Sequence, residues 1–512
     1  MNRPNILIVM TDQQRADLRR SRGYALDTMP FLDEWAKQGV DFCRAYTSNP
    51  SCMPARVSML TGRYPQSHRV RTNHNAADAF YSEDLLDLLH REGYTCALFG
   101  KNHTHRRDED FDVYETNGHL GGLPERTDEE KAFGAFLRAS RNMESHLPSP
   151  GGLEVQQPYR NVSAMLRFLD ERPQDNPFFA WVSFAEPHNP AQAPEPYFDL
   201  FPPESLPPPG AGPEVLGQKG PRYTWLRGIW ERVFGEDLEK RANRAVSNYC
   251  GMLRLIDDQL RRLMDGLRER DLEKDTLILF LSDHGDYAGE YGLTRKGGDL
   301  PEVLCRIPMI WRGPGVAARG ALDGVCASIV DILPTLCELW DVPSPLGCQG
   351  KSLLPILRGE DFPPEEYESA YAETGYGGLY WTEEDGLDPI AEGATNQYRS
   401  FDCLNSWTES GQVRMLRWKN YKIQLDMLGQ GYLYDLEADP HETRNLWDDP
   451  ALLAVRADLL LRLSSAMLRE SDALPLPRRR YRLKTHPRGY WFQRYVSPDP
   501  GVREAPVGRK ER

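Results

Sequence analysis

Short unbroken apolar runs punctuate the first 340 residues. Those at 6–10 (ILIVM), 178–184 (FFAWVSF) and 276–281 (TLILFL) are strand-length and rich in β-branched and aromatic residues, which predicts strands buried on both faces. Shorter runs at 95–99 and 307–311 read the same way. Between them, apolar residues recur at helical spacing in 31–39, 54–60, 85–92 and 329–339. The clearest helix is 245–268, where Val246, Tyr249, Met252, Leu253, Ile256, Leu260, Leu263, Met264 and Leu267 share one stripe. This alternation predicts an α/β fold whose large, mostly parallel sheet is sandwiched by helices.

Residues 104–160 are polar and irregular and read as an insertion over one sheet edge, and 189–215 read as a Pro-rich loop. After about residue 360 the texture changes. The stretches 415–423 and 432–435 alternate apolar and polar residues as half-exposed antiparallel strands do, and 452–469 has helical spacing. The expected organisation is a catalytic domain at 1–360, a smaller C-terminal α+β subdomain on an antiparallel sheet at 361–475, and a basic arm at 476–512.

Composition narrows the function classes. The net charge of the 512 residues is −14, so no global positive field is available for nucleic acid. An acidic chain that handles an anion needs a local positive pocket. No apolar run approaches the ~20 residues that span a bilayer, so no membrane partner is expected. The run at 6–10 lacks the length and cleavage site of a signal peptide, and the expected location is the cytoplasm. Nine scattered cysteines without a C-x-x-C pair argue against a disulfide framework and a zinc ribbon. The basic, aromatic arm from 478 to 495 is read as packing on another subunit, giving a homo-oligomer, or back on the core.

Several predicted strands end in polar residues: Asp12 with Gln13, Lys101 with His103, His188, and Asp283 with His284. Sites in parallel α/β sheets gather at such ends. Oxygen donors from Asp12, Gln13 and Asp283 suit a hard cation such as calcium or magnesium, while His284 leaves manganese or zinc open. A single strand-end Asp would more simply cap a helix; two such pairs are harder to explain that way. Cys52 stands just before a Pro-initiated helix, at the positive end of its dipole, with Arg56 one turn along the same face. That placement suits a low-pKa thiolate nucleophile, and equally a buried structural cysteine.

These residues resemble the formylglycine-dependent sulfatases of the alkaline phosphatase superfamily. The signature C-x-P-x-R followed by L-T-G stands as Cys52, Pro54, Arg56 and Leu60-Thr61-Gly62. A second signature stands as Gly93-Tyr94-Thr95-Cys96 with Gly100-Lys101-Asn102-His103. Pro187-His188, Ser282 to Gly285, Lys296 and the closing 433–446 segment follow in family order, so the likeness spans roughly residues 4–450. Met53, Cys96 and Gln13 depart from the usual pattern. Gln13 replaces the second Asp of many members and lowers the negative charge around a metal.

The resemblance implies an alkaline phosphatase-like fold and a sulfuric ester hydrolase. Cys52 would be converted to 3-oxoalanine (formylglycine) by a formylglycine-generating or anaerobic sulfatase-maturating enzyme. A divalent cation, calcium first with magnesium or manganese as alternatives, would be held by Asp12, Gln13, Cys52, Asp283 and His284. One hydroxyl of the hydrated aldehyde would attack sulfur, and the second would then expel sulfate. Arg56 and Lys101 would offset charge, His103 would take a proton, and His188 and Lys296 would contact sulfate and the leaving oxygen. Asn73 matches a sulfate-pocket position. Arg71 and His105 flank the site and, with their basic neighbours, would bind substrate or a second anion, or else form a solvated basic surface.

The expected substrate is an aryl or carbohydrate sulfate. The alternatives are a phosphonate monoester or phosphate diester hydrolase, a Ser- or Thr-dependent phosphatase, and a non-catalytic sulfatase-fold binding protein. The phosphonate hydrolases, as that resemblance has it, lack the Lys and His that stand here as Lys101 and His103. Cys52 argues against the phosphatase, and the full set of catalytic residues against the binding protein.

Overall fold

Burial on both faces draws the long apolar runs to the middle of one sheet. The structure, a computed structural model, describes residues 3–118, 125–140, 142–297, 299–376, 411–471 and 486–492. The strands of the larger sheet are β1 (Asn5–Asp12), β2 (Val40–Tyr46), β3 (Thr95–Gly100), β4 (Val113–Thr116), β5 (Phe178–Pro187), β6 (Thr276–Ser282), β7 (Arg306–Ile307), β8 (Met309–Arg312) and β9 (Gly320–Ser328). Their order is β4-β3-β5-β1-β6-β8-β2-β7, with β9 also paired to β2. Strands β4, β3, β5, β1 and β6 run parallel, Leu7 facing Ala180 and Ile278 on either side. Strand β8 is antiparallel to both β6 and β2, so the sheet is mixed.

Period-two alternation splits β1 between two cores. Ile6, Ile8 and Met10 meet α2 (Cys52–Thr61), α3 (Leu85–Arg91) and α6 (Ile332–Leu339). Leu7 and Val9 meet α1 (Pro30–Ala36), α4 (Gln157–Glu171) and α5 (Leu238–Glu269) on the other face. The sheet is therefore covered on both sides, as its apolar runs require.

Differences from the sequence reading have local causes. Strand β2 (VDFCRAY) was hidden by its charges, yet Asp41 is buried and neutralised by Arg19 and Arg22. Strand β9 begins half-exposed, with Asp323 among glycines and small or apolar residues, and is buried only after Gly324. The run at 307–311 is two strands, β7 and β8, separated by Pro308. The helix read at 245–268 starts earlier, at Leu238. The stretch 104–160 is more ordered than an irregular insertion: it supplies edge strand β4, a helix at Asp128–Ser140 and the start of α4.

The second sheet is antiparallel, in the order β10 (Ser369–Thr374), β11 (Val413–Trp418), β12 (Tyr421–Asp426), β13 (Gly431–Asp435). The stretch read as one strand at 415–423 is the β11–β12 hairpin, turning at Lys419 with φ 52°. Helix α7 (Leu453–Glu470) lays Leu459, Leu463 and Ala466 on Leu416 and Ile423 of this sheet. Within the basic arm, residues 486–492 fold back on the chain's own core. Tyr490 is buried with its hydroxyl 3.2 Å from that of Tyr367, and Arg488 donates to Glu338 at 2.8 Å. The rest of the arm lies outside the described residues.

Candidate active site

Two adjacent parallel strands end together and place their polar tips side by side. Thr11 of β1 is in register with Ser282 of β6, so Asp12-Gln13 and Asp283-His284 leave the sheet at the same level. The Gln13 amide N–H donates to Asp283 Oδ1 at 3.0 Å, and the His284 N–H donates to the same oxygen at 2.9 Å. Gln13 adopts φ 67°, a left-handed conformation costing about 1–3 kcal/mol for a side-chain-bearing residue.

Lys101 is delivered by β3. At Gly100 (φ 107°) any Cβ would lie 2.0 Å from the Ser183 carbonyl, so only glycine lets β3 and β5 close at this height. The Lys101 N–H then donates to Ser183 O at 2.8 Å, and its ammonium pairs with Asp12 Oδ2.

Helix α2 supplies Cys52 and Arg56. Its Ser51 cap makes no side-chain hydrogen bond; instead Asn73 Oδ1 accepts the Met53 N–H at 3.0 Å. Asn73 thus sits at the helix end that carries Cys52. Arg56 is fully buried and reaches every neighbouring strand end. It donates to Asp283 Oδ2 at 2.8 Å, Asp12 Oδ2 at 3.3 Å, Ser183 Oγ at 2.8 Å and Lys101 O at 2.9 Å.

Cys52 Sγ lies 3.5 Å from Asp12 Oδ1, 3.3 Å from His284 Nε2 and 3.1 Å from Lys296 Nζ. Burial and Asp12 push its thiol pKa up, but Lys101, Lys296 and His284 outweigh them and hold it well below the usual thiol range. His103, at φ 49°, hydrogen-bonds Cys52; burial and Lys101 lower its pKa. Burial takes His188 down to about 3, with Asp12, Lys296 and Cys52 among its electrostatic neighbours. His188 Nδ1 donates to the Asn189 carbonyl at 2.9 Å, which leaves Nε2 as an acceptor.

The donor set fits a hard divalent cation. Asp12, Cys52, Asp283 and His284 offer ligand atoms within 4.8 Å of one another, all buried. Burial and Asp12 raise the Asp283 pKa, a crowding that a cation would relieve. His284 Nδ1 donates to Gly285 O at 2.9 Å, which turns Nε2 toward the cluster. Among the described residues, buried Gln13 Oε1 has no hydrogen-bond partner. Its amide nitrogen is held by Asp286 Oδ2, fixing which end faces the site.

Two sequence candidates, His105 and Arg71, make no hydrogen bond or ion pair with the cluster among the described residues. His105 is not brought to the cluster: its Nε2 pairs with Asp84 Oδ2 at 2.8 Å and its ring packs edge-on against Tyr81. Asp84 caps α3 and binds Arg106 as well, so these basic residues anchor a helix end. Among the described residues no hydrogen bond or ion pair joins the Arg71 side chain to the cluster; its backbone N–H donates to Asn75. Sequence reasoning missed Asp286 and Ser183. The lone polar residue inside FFAWVSF, and the second Asp of SDHGD, were the available signals.

Among the described residues, no helix is long and apolar enough to cross a membrane. A model of the family described as Sulfatase matches residues 4–342. The arylsulfatase of Clostridium perfringens is 27% identical over 475 residues, 87% of this chain and 90% of that protein. The multifunctional alkaline phosphatase superfamily protein PehA of Trinickia caryophylli is 28% identical, covering 92% of this chain and 96% of that one. The crystal structure of the phosphonate monoester hydrolase of Agrobacterium radiobacter superposes with a TM-score of 0.72 at 27% identity, covering 91% of this chain and 96% of that chain.

Proposed function

The chain belongs to the sulfatase family, and on that premise we propose that it hydrolyses a sulfate monoester, aryl or carbohydrate, with Cys52 converted to formylglycine by a maturation enzyme of the host. The observation that carries this is the joint placement of Lys101 and His103 beside Asp12 and Cys52. An amine and an imidazole at the nucleophile provide charge compensation and a proton acceptor in one place.

A divalent cation, calcium first, would be held by Asp12, Gln13, Asp283, His284 and the modified Cys52, and would act as a Lewis acid. The protein's own groups divide the remaining work. Arg56 fixes Asp12 and Asp283 in one orientation and keeps positive charge beneath the nucleophile. Burial lowers the pKa of both His103 and His188, so both are neutral near pH 7, and His103, hydrogen-bonded to Cys52, stands where a proton can be accepted. His103, hydrogen-bonded at Cys52, would be the proton acceptor for a hydroxyl of the hydrated aldehyde. Lys296, 3.1 Å from Cys52 Sγ, neutralises the sulfate oxygens and the departing alkoxide.

The second reading is a phosphonate monoester hydrolase, favoured by the similarity to the Agrobacterium radiobacter enzyme over nearly its whole length. Comparing kcat/KM for para-nitrophenyl sulfate and a phenylphosphonate monoester separates the two. The sulfate is expected to lead by at least about tenfold, roughly 1.4 kcal/mol of transition-state preference. A phosphonate lead of that size selects the second reading.

A further inference from the structure

A second buried ionic cluster lies away from the proposed metal, where the C-terminal sheet meets the catalytic one. Lys422 of β12 pairs with Glu442 Oε1 at 2.9 Å and Glu302 Oε1 at 3.2 Å. Lys219 sits in a cage of tyrosine rings, 4.4 Å from the centroid of Tyr291, 4.7 Å from Tyr434 and 5.2 Å from Tyr223, and donates to the Glu442 carbonyl at 3.2 Å. Lys219, Lys422 and Glu442 are at most 1% exposed.

One atom in this cluster has an unusual reach. Glu442 Oε2 accepts the Tyr291 hydroxyl at 3.3 Å and the Glu302 N–H at 2.9 Å. Residues 291 and 302 bracket the segment that brings Lys296 to Cys52 Sγ. The next residue back supports the same end: His441 pairs with Glu290 at 3.0 Å, and its carbonyl accepts the Tyr291 hydroxyl at 3.0 Å. The bracketed region needs support, because Tyr291 (φ 57°) and Arg295 (φ 67°) hold left-handed conformations that side-chain-bearing residues disfavour, as does Ala288 (φ 42°) just before it.

We infer that Glu442, with Lys219 orienting Tyr291, is a positioning residue for Lys296: the C-terminal subdomain holds the chain at Tyr291 before this lysine and at Glu302 after it. The kinetic part of this inference rests on the function proposed above, and the structural part does not.

The test uses two variants of the full chain, Glu442→Gln and Tyr291→Phe. The second removes only a hydroxyl and decides the matter if the first does not fold. Amide hydrogen exchange across 287–296 should quicken at least about tenfold in both, with β1 and β6 unchanged. Turnover of para-nitrophenyl sulfate should fall about tenfold in kcat with a smaller change in KM, and this loss should vanish in a Lys296→Ala background. If the folded variants exchange this loop at the wild-type rate, the inferred hold is wrong, whatever the substrate. If the loop loosens but the kinetic losses multiply with that of Lys296→Ala, the link to Lys296 is wrong. Wild-type inactivity on the sulfate defeats only the proposed function; the kinetic arm then runs on the phosphonate monoester.

Discussion

One buried charge cluster of the molecule lies at the ends of β1 and β6, and another at the seam between its sheets. At the seam, every charge faces an opposite one: Lys219 and Lys422 pull the Glu442 carboxyl below the usual range against the burial that raises it. At the strand ends, Asp12 and Asp283 crowd each other, a cysteine stands among Lys101, Lys296 and His284, and Gln13 Oε1 has no partner among the described residues. The seam pairs its own charges, Lys422 with Glu442 and Glu302, and serves cohesion. The strand-end cluster is arranged around chemistry that arrives from outside, which is how functional sites differ from structural ion pairs of similar burial.

The contrast can be broken most sharply at Cys52. Cys52→Ala should lower kcat by at least about 10⁴-fold, the scale seen when a covalent nucleophile is removed, while leaving the thermal midpoint nearly unchanged. Residual activity near wild type would remove Cys52 from the chemistry.

Stability should follow the reverse order. Lys422→Met strands two buried carboxylates and should cost about 3–5 kcal/mol in urea unfolding. Asp283→Asn should cost less in metal-free protein, because burial and Asp12 already disfavour its charge, while turnover collapses. Equal losses in the two variants would erase the distinction.

A third buried acid sharpens it through pH. Glu470, at the end of α7, is raised to about 8 by burial, with Arg469 3.9 Å away. A carboxyl raised on folding contributes stability that is complete below its unfolded value and lost as pH rises through the folded one. Wild type should therefore lose stability between about pH 4.5 and pH 8, and Glu470→Gln should flatten that slope in thermal melts. An unchanged slope would show that Glu470 is ionised throughout. The smallest expected effect is at Asn73. Asn73→Ala removes an acceptor from the α2 N-terminus and should cost about 1 kcal/mol, read as a lower urea midpoint.

The two clusters also differed in how far the sequence revealed them. The strand-end residues follow apolar runs directly, so Asp12, Lys101, His188 and Asp283 were legible as candidates, and the motif around Cys52 joined them to a family. Seam partners are separated by 223 residues (Lys219–Glu442) and 140 residues (Glu302–Glu442), and no local pattern distinguishes a buried lysine from a solvated one. His105 was opaque for the same reason: its partner, Asp84, stands 21 residues upstream. Strand β2 was obscured because its Asp41 is neutralised by arginines outside the strand.

The central claim is that Cys52 works as an aldehyde and not as a thiol. Mass analysis of the Cys52 peptide from active protein tests it directly: conversion of thiol to aldehyde lowers the mass by about 18 Da, whereas the ordinary cysteine oxidation ladder adds oxygen. The lighter peptide should appear in proportion to specific activity. Fully active protein carrying only the unmodified thiol would contradict it.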